Sequence, residues 1–344
     1  MTFVNGALVD TRPQPEKEKD FKAKEVVASA APVNWIEKTQ AQWRKFPIFN
    51  QNGSGSCVAQ TEAKELGIMR QLKDGVYVHF SATDIYQRRA NRPNAGMAAV
   101  DARLIAAKGA TLEALTPSQN MTDSQMDAAI VEPYKRKVGE IFSVPNYLEL
   151  PFANIESVAS TIQATGKGAM VWFYFTIDEW KQRPNILVPN LNLAGISTLR
   201  HSVCAVDYCL VNGVKSLIIE DSWGPDAGFN GQRVIDENFF KVRNWYAGYL
   251  MNFKFDTNIV KPIHTFFNDL YFGMTDIEVK SLQDCLKFEG TFPSNADSTG
   301  FFGAITKKAV QDFQIKYNIA SPTNAGFGRV GPLTRAKLNE LYSS

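Results

Sequence analysis

Cys57 follows the loop Asn50–Ser56 (NQNGSGS) and precedes Val58–Leu72, where Ala59, Ala63, Leu66 and Met69 recur along one helical stripe. A sulfur in the first turn of a helix meets free N–H groups and about half a positive charge, which favours the thiolate. Nucleophilic catalysis also needs a base and donors for an oxyanion. Gly55 and Ser56 leave room for a substrate backbone beside the sulfur. Gln51, six residues before Cys57, can aim its amide at the developing oxyanion. His201 is the candidate base. It opens the apolar strand His201–Val211, which turns at Asn212-Gly213 into a second strand, Ser216–Glu220. A hairpin returns its second strand to the start of its first, so Asp221 is expected beside His201. There a carboxylate fixes the imidazole tautomer and supports the imidazolium. Trp223 is expected to cover the pair, whereas His79 and His264 read as structural.

The elements that must carry these groups are legible in outline. Residues 1–31 are charged, rich in Pro and Ala, and read as a flexible N-terminal arm or a short wrap over the first domain. Residues 32–256 read as one α+β domain, helical first and β-rich later. A second helical pattern, residues 97–108, ends at Gly109, and Met170–Phe175 (MVWFYF) reads as a strand buried on both faces. A hinge, Asp256–Pro262, leads to residues 263–344, whose charges balance at eight of each sign. No internal repeat is evident. Cys204 and Cys209 read as small buried hydrophobes; their odd spacing along a strand places them on opposite faces.

Composition narrows the classes. The net charge of +2 argues against a polyanion binder, so no nucleic-acid partner is expected. The longest apolar run, Gly168–Phe175, is far short of the roughly 20 residues of a membrane span. No apolar segment follows a basic start, so no signal peptide is expected and synthesis in the cytoplasm is. Four cysteines are too few for a disulfide scaffold, and scattered His and Cys exclude a zinc pattern. No metal or cofactor is expected.

Together these residues resemble the papain-like cysteine peptidases. Gln51-x5-Cys57 looks like that family's oxyanion glutamine and nucleophile, and Asp221-Ser222-Trp223-Gly224 resembles its Asn-Ser-Trp-Gly. Val33–Lys38 (VNWIEK) is similar to the start of its mature enzymes. Phe80-Ser81 and Asn94-Ala95-Gly96-Met97 fall where the family has its Leu-Ser and its glycine-rich pocket wall. The resemblance implies a two-lobed fold, a helical lobe facing an antiparallel β lobe. It also implies catalytic Cys57, His201, Asp221 and Gln51, in a cleft lined by Gly55, Ser56, Gly96 and Trp223. Three departures stand out: Asp at 221 for the usual Asn, Val58 for the usual Trp, and the loss of the family's structural cysteines. An arm of this length is also much shorter than the family's inhibitory prosegment.

The last segment carries a second pattern. Val279, Leu282 and Leu286 make one helix stripe, Ala309, Val310 and Phe313 another, and Ala336, Leu338 and Leu341 flank a third. Thr306 and Thr334 are placed near helix starts as caps, and Gln283 and Gln314 are expected to bond internally. With Gly300-Phe301-Phe302-Gly303 and Gly331-Pro332, this resembles the three-helix peptidoglycan-binding domain of cell-wall hydrolases. The whole therefore reads as a cysteine endopeptidase acting on a peptide or protein and tethered to peptidoglycan, as in a phage lysin (endolysin) or virion-associated enzyme. Rivals are a general protein peptidase anchored at the wall, a catalytically inactive papain-like structural or adhesion protein, and a transglutaminase-like acyl transferase, against which the Gln51 spacing argues.

Overall fold

The computed structural model describes residues 6–9, 11, 13, 32–140, 142–181, 186–187, 199–255, 261–293 and 298–343. They fall into two compact units, residues 1–130 with 142–254, and residues 131–141 with 255–344. The expected hinge lies, at 256–260, outside the described residues.

In the first unit the helical lobe comprises α1 (Cys57–Asp74), α2 (Ala82–Gln87), α3 (Ala99–Ala106) and α4 (Asp123–Ala128). Short strands β1 (Ala7–Leu8) and β2 (Met97–Ala98) pair in parallel at its edge. Helix α1 begins at Cys57 after Ser56 and stops at Gly75, whose left-handed φ of 79° suits a glycine. Its Ala59, Ala63, Leu66 and Met69 are buried in one core with Ile85, Ala102 and Trp172. The ion triad Glu62–Arg103–Glu65 crosses that core: Arg103 Nη1 lies 2.8 Å from Glu62 Oε2 and 2.5 Å from Glu65 Oε2. The Met170 N–H donates to Glu65, tying α1 to the sheet.

The β lobe is built on β3 (Phe142–Leu150), β4 (Ala169–Phe175), β5 (Ile186–Leu187), β6 (Leu199–Val211), β7 (Val214–Glu220), β8 (Gln232–Asp236) and β9 (Asn244–Phe255). They form one sheet in the order β3-β9-β4-β6-β7-β8-β5. Helices α6 (Ile155–Thr165), α7 (Ile177–Trp180) and α8 (Glu237–Arg243) accompany it; α5 (Pro133–Glu140) belongs to the second unit. The β6–β7 hairpin turns on Asn212 and Gly213, both at positive φ, as the sequence predicts. One expectation fails here. Cys204 and Cys209 are both free and buried, but in the same apolar cluster, with Trp43, Ile68 and Val206. A register shift between Ala205 and Asp207 inserts one residue and resets the alternation.

The second unit packs α9 (Ile277–Phe288), α10 (Ala304–Lys316) and α11 (Pro332–Tyr342) around Val279, Leu282, Val310, Phe313 and Leu338. Its caps differ from expectation. Gly303 and Gly331 are the N-caps, and Thr306 and Thr334 lie inside the helices. Their hydroxyls instead accept from Gln283 and Gln314, each at 2.9 Å. Gln283 also donates to the Phe301 carbonyl and accepts from the Gly300 N–H; Gln314 donates to the Arg329 carbonyl and accepts from the Gly328 N–H. The two glutamines thus close two copies of one Gly-x-x-Gly-x-x-Thr turn, a short repeat that the sequence reading missed although its spacing is identical in both copies.

Candidate active site

Cys57 is the first residue of α1 and is buried. The turn after β7 reaches the loop before α1 through backbone bonds. Gln51 N–H donates to the Ser222 carbonyl at 2.8 Å and Gly224 N–H to the Phe49 carbonyl at 3.0 Å. Gly224 holds φ at 85°, and a methyl there would lie 3.1 Å from Asn50 Nδ2. This splice, an isolated bridge between Asn50 and Trp223, brings the segments that carry Gln51 and Asp221 side by side. The Ser222 hydroxyl donates to Gln51 Oε1 at 2.5 Å, and Gln51 Nε2 donates to the Ser54 carbonyl at 2.5 Å. One of the two amide hydrogens therefore shapes the loop, leaving the other for an oxyanion.

His201, near the start of β6, is wholly buried, and its Nε2 lies 2.8 Å from Asp221 Oδ1, as the hairpin predicts. Burial alone would lower its pKa. The charge and hydrogen bond of Asp221, then the Cys57 thiol, overcome this and raise it to about 9. Burial likewise pushes the Asp221 carboxyl up, but His201 and then Arg233 hold it well below the carboxylate range. Trp223 packs on the imidazole at 5.5 Å between ring centroids. The two halves are clasped further back. The Ser202 hydroxyl donates to Thr61, whose own hydroxyl donates to the Cys57 carbonyl, and Lys64 pairs with Glu220 at 2.5 Å.

The cleft wall is a hydrogen-bonded chain the sequence did not reveal. Gly55 N–H donates to the Asp123 carboxylate at 3.0 Å, the Tyr86 hydroxyl donates to Asp123 at 2.6 Å, and Gly96 N–H donates to Tyr86 at 3.0 Å. Gly55 and Gly96 face each other so closely that a methyl on Gly55 would lie 2.8 Å from the Gly96 nitrogen. Ser56 is turned inward, its hydroxyl 2.7 Å from that of Ser54. Sequence spacing offered no signal for Tyr86 or Asp123, since each acts through a backbone amide supplied elsewhere.

Of the two expectations for the N-terminal residues, a flexible arm or a wrap over the first domain, the described part follows the second. Gly6 accepts from the Met97 N–H at 2.7 Å, and Ala7 is buried in the same core cluster as Cys57. A methyl on Gly6 would lie 2.3 Å from Cys57 Sγ, so only glycine passes over the sulfur at this height. His79 and His264 lie in aromatic packing, against Phe49 and Phe266. Among the described residues no cluster of His, Cys, Asp or Glu is suited to a metal, and no helix is long and apolar enough to cross a membrane.

The first unit has the fold of the papain-like cysteine proteases, and the second carries a peptidoglycan-binding domain: residues 275–338 match the family model described as "Putative peptidoglycan binding domain". Among solved structures, the chain is similar to xylellain, a cysteine protease from Xylella fastidiosa, at a TM-score of 0.58 and 16% identity, over 72% of this chain and 96% of that one. It is also similar to the digestive procathepsin L2 proteinase of the Tenebrio molitor larval midgut, at a TM-score of 0.54 and 16% identity, over 73% of this chain and 78% of that one. No curated protein sequence matches the chain.

Proposed function

We propose that the chain is a cysteine endopeptidase whose second unit holds it on bacterial peptidoglycan, and that it acts at the cell wall as a lysin or virion-associated enzyme. The observation that carries the reading is the meeting of Cys57, at a helix start, with an imidazole held by Asp221. With Nε2 bonded to Asp221, the other ring nitrogen exchanges the proton with sulfur. The thiolate adds to the substrate carbonyl, and the Cys57 N–H with the second Gln51 amide hydrogen receives the oxyanion. His201 then protonates the leaving amine, and water attacks the acyl-enzyme with His201 as base. The second unit raises local concentration at the wall without adding chemistry. The domain bounds 32–256 and 263–344 belong to this proposal.

The segment over Cys57 Sγ favours a second reading, an inactive papain-like protein used for adhesion. The two are separated by treating the full chain with a thiol-directed epoxide and locating the adduct. Purified walls and casein are then digested with the wild type and Cys57→Ala. Adduct at Cys57 and stem-peptide fragments released by the wild type alone support the proposal. Casein cleavage without wall cleavage leaves a general peptidase anchored at the wall. An inert Cys57 and intact walls overturn the peptidase reading.

A further inference from the structure

The carboxylate of Asp221 does more than face the imidazole. Its Oδ1 meets His201, while Oδ2 accepts from Trp180 Nε1 at 2.8 Å and from Arg233 Nε at 2.9 Å. Arg233 comes from β8, is almost fully buried, and donates through Nη1 to the Trp180 carbonyl at 2.6 Å. Its guanidinium lies over the Trp180 and Trp223 rings, at 5.5 and 5.8 Å. Two hydrogen bonds and two indole rings therefore hold the guanidinium on Oδ2. The other charged groups nearby are already matched. Glu179 of α7 pairs with Arg243 of α8 at 2.6 Å, and Glu220 of β7 pairs with Lys64 of α1. Cys57 faces His201 from α1.

We propose that Arg233 is a positioning residue for the Cys57–His201 pair, cancelling the extra negative charge that Asp221 brings to a position where papain-like enzymes carry neutral asparagine. This rests on the peptidase reading. Aspartate with arginine sums to zero charge, like the amide, and keeps an oxygen on the imidazole N–H. A bare carboxylate would hold the imidazolium more tightly and oppose proton delivery to the leaving amine. Bound by two donors on Oδ2, the carboxylate offers orientation with little surplus charge. Arg233 acts through Asp221 and touches no reacting atom.

The test uses the full chain and two readouts: the His201 ring titration by NMR, and the pH dependence of Cys57 alkylation by iodoacetamide. The variants are Arg233→Gln, Arg233→Lys, Asp221→Asn and the double Asp221→Asn/Arg233→Gln. Removing a cation beside the imidazolium favours it, so Arg233→Gln should raise the His201 midpoint and the alkaline limb by about one pH unit or more. Arg233→Lys should stay close to the wild type. Asp221→Asn alone strands a buried guanidinium beside the ring. It should lower the limb by a comparable amount and cut the alkylation rate at least about tenfold. The double variant restores neutrality, should return the limb to within about half a unit of the wild type, and should recover most of the rate. It also carries the test if Arg233→Gln fails to fold. A His201 midpoint unmoved in Arg233→Gln, or a double variant no better than Asp221→Asn, overturns the proposal. A wild-type Cys57 that alkylates like an isolated thiol overturns the peptidase reading instead; the His201 titration still reads what Arg233 does to the ring.

Discussion

Removing residues 1–9 should expose the sulfur that Gly6 and Ala7 cover. The described contacts set the size of the effect. The Gly6–Met97 hydrogen bond contributes about 1 kcal/mol net, and the buried Ala7 methyl about 0.8 kcal/mol. Their sum, about 2 kcal/mol, corresponds to about 30-fold protection, from which the cost of ordering the segment subtracts. The assay is the pseudo-first-order rate of carboxymethylation by iodoacetamide at pH 7, with the adduct placed by peptide mass. Cys204, Cys209 and Cys285 are buried and serve as unreactive internal controls. Truncation should accelerate Cys57 labelling by about 3- to 30-fold. Gly6→Val should do the same without shortening the chain, since its side chain would begin 2.3 Å from Sγ and must displace the segment. Equal rates in the full chain, the truncated chain and Gly6→Val would refute the reasoning, because a segment that covers the sulfur must slow its alkylation.

Three further outcomes follow from the same contacts. His201 is raised to about 9 from an unfolded value near 6.5. The stability it contributes is fully present below about pH 6.5 and is lost as pH rises through 9; thermal melts from pH 6 to 10 should show this fall in the wild type and a smaller one in His201→Gln. Arg103→Met leaves Glu62 and Glu65 buried without their cation and should cost about 3–5 kcal/mol in urea unfolding. Burial holds Glu65 up at about 8 even beside Arg103, so both chains lose stability as pH rises from about 4.5; the extra loss in Arg103→Met should open above about pH 8, where the wild-type Glu65 ionises beside its cation, and Glu62→Gln/Glu65→Gln in the same chain should recover much of it. Gln283→Ala and Gln314→Ala each orphan a buried turn in the second unit. Each should cost about 1–3 kcal/mol, read by calorimetry as a lower transition for that unit, with Cys57 alkylation unchanged.

What the sequence disclosed was chemistry carried by local pattern. Cys57 could be placed because a glycine-rich loop meets a periodic stripe. Asp221 could be placed beside His201 because a hairpin with Asn-Gly at its tip has a calculable return. Groups that act across strands left no such trace. Arg233 lies on the strand after the Asp221 turn, and nothing in its neighbours announces that its side chain doubles back onto the carboxylate. Tyr86 and Asp123 are 37 residues apart and meet only because α2 and α4 converge behind Gly55. The bulge near Val206 overturned the alternation that set Cys204 and Cys209 apart, since period-2 reasoning fails wherever a strand takes in one extra residue. Thr306 and Thr334 looked like caps because threonine favours helix starts; the long-range glutamine bonds outweighed that preference.

The covered sulfur and the assembled triad point in opposite directions, and the way the groove is filled decides between them. A protein that had given up catalysis would be free to fill the space between its lobes with side chains, as any core is filled. Here the filling is the short segment Gly6–Leu8, and the residue that passes over Sγ is a glycine. Behind it the imidazole keeps its carboxylate, the carboxylate keeps two further donors, and Gln51 keeps one amide hydrogen beyond its bond to Ser54. A buried ionic cluster of that kind is costly to hold and is often no more stable than an apolar replacement. Its persistence under so light a cover favours the peptidase reading proposed above, and the strand that covers it pairs with Met97–Ala98, directly after the glycine expected to line the substrate cleft. A peptide that displaced β1 would therefore find free backbone groups on β2 and the sulfur directly alongside.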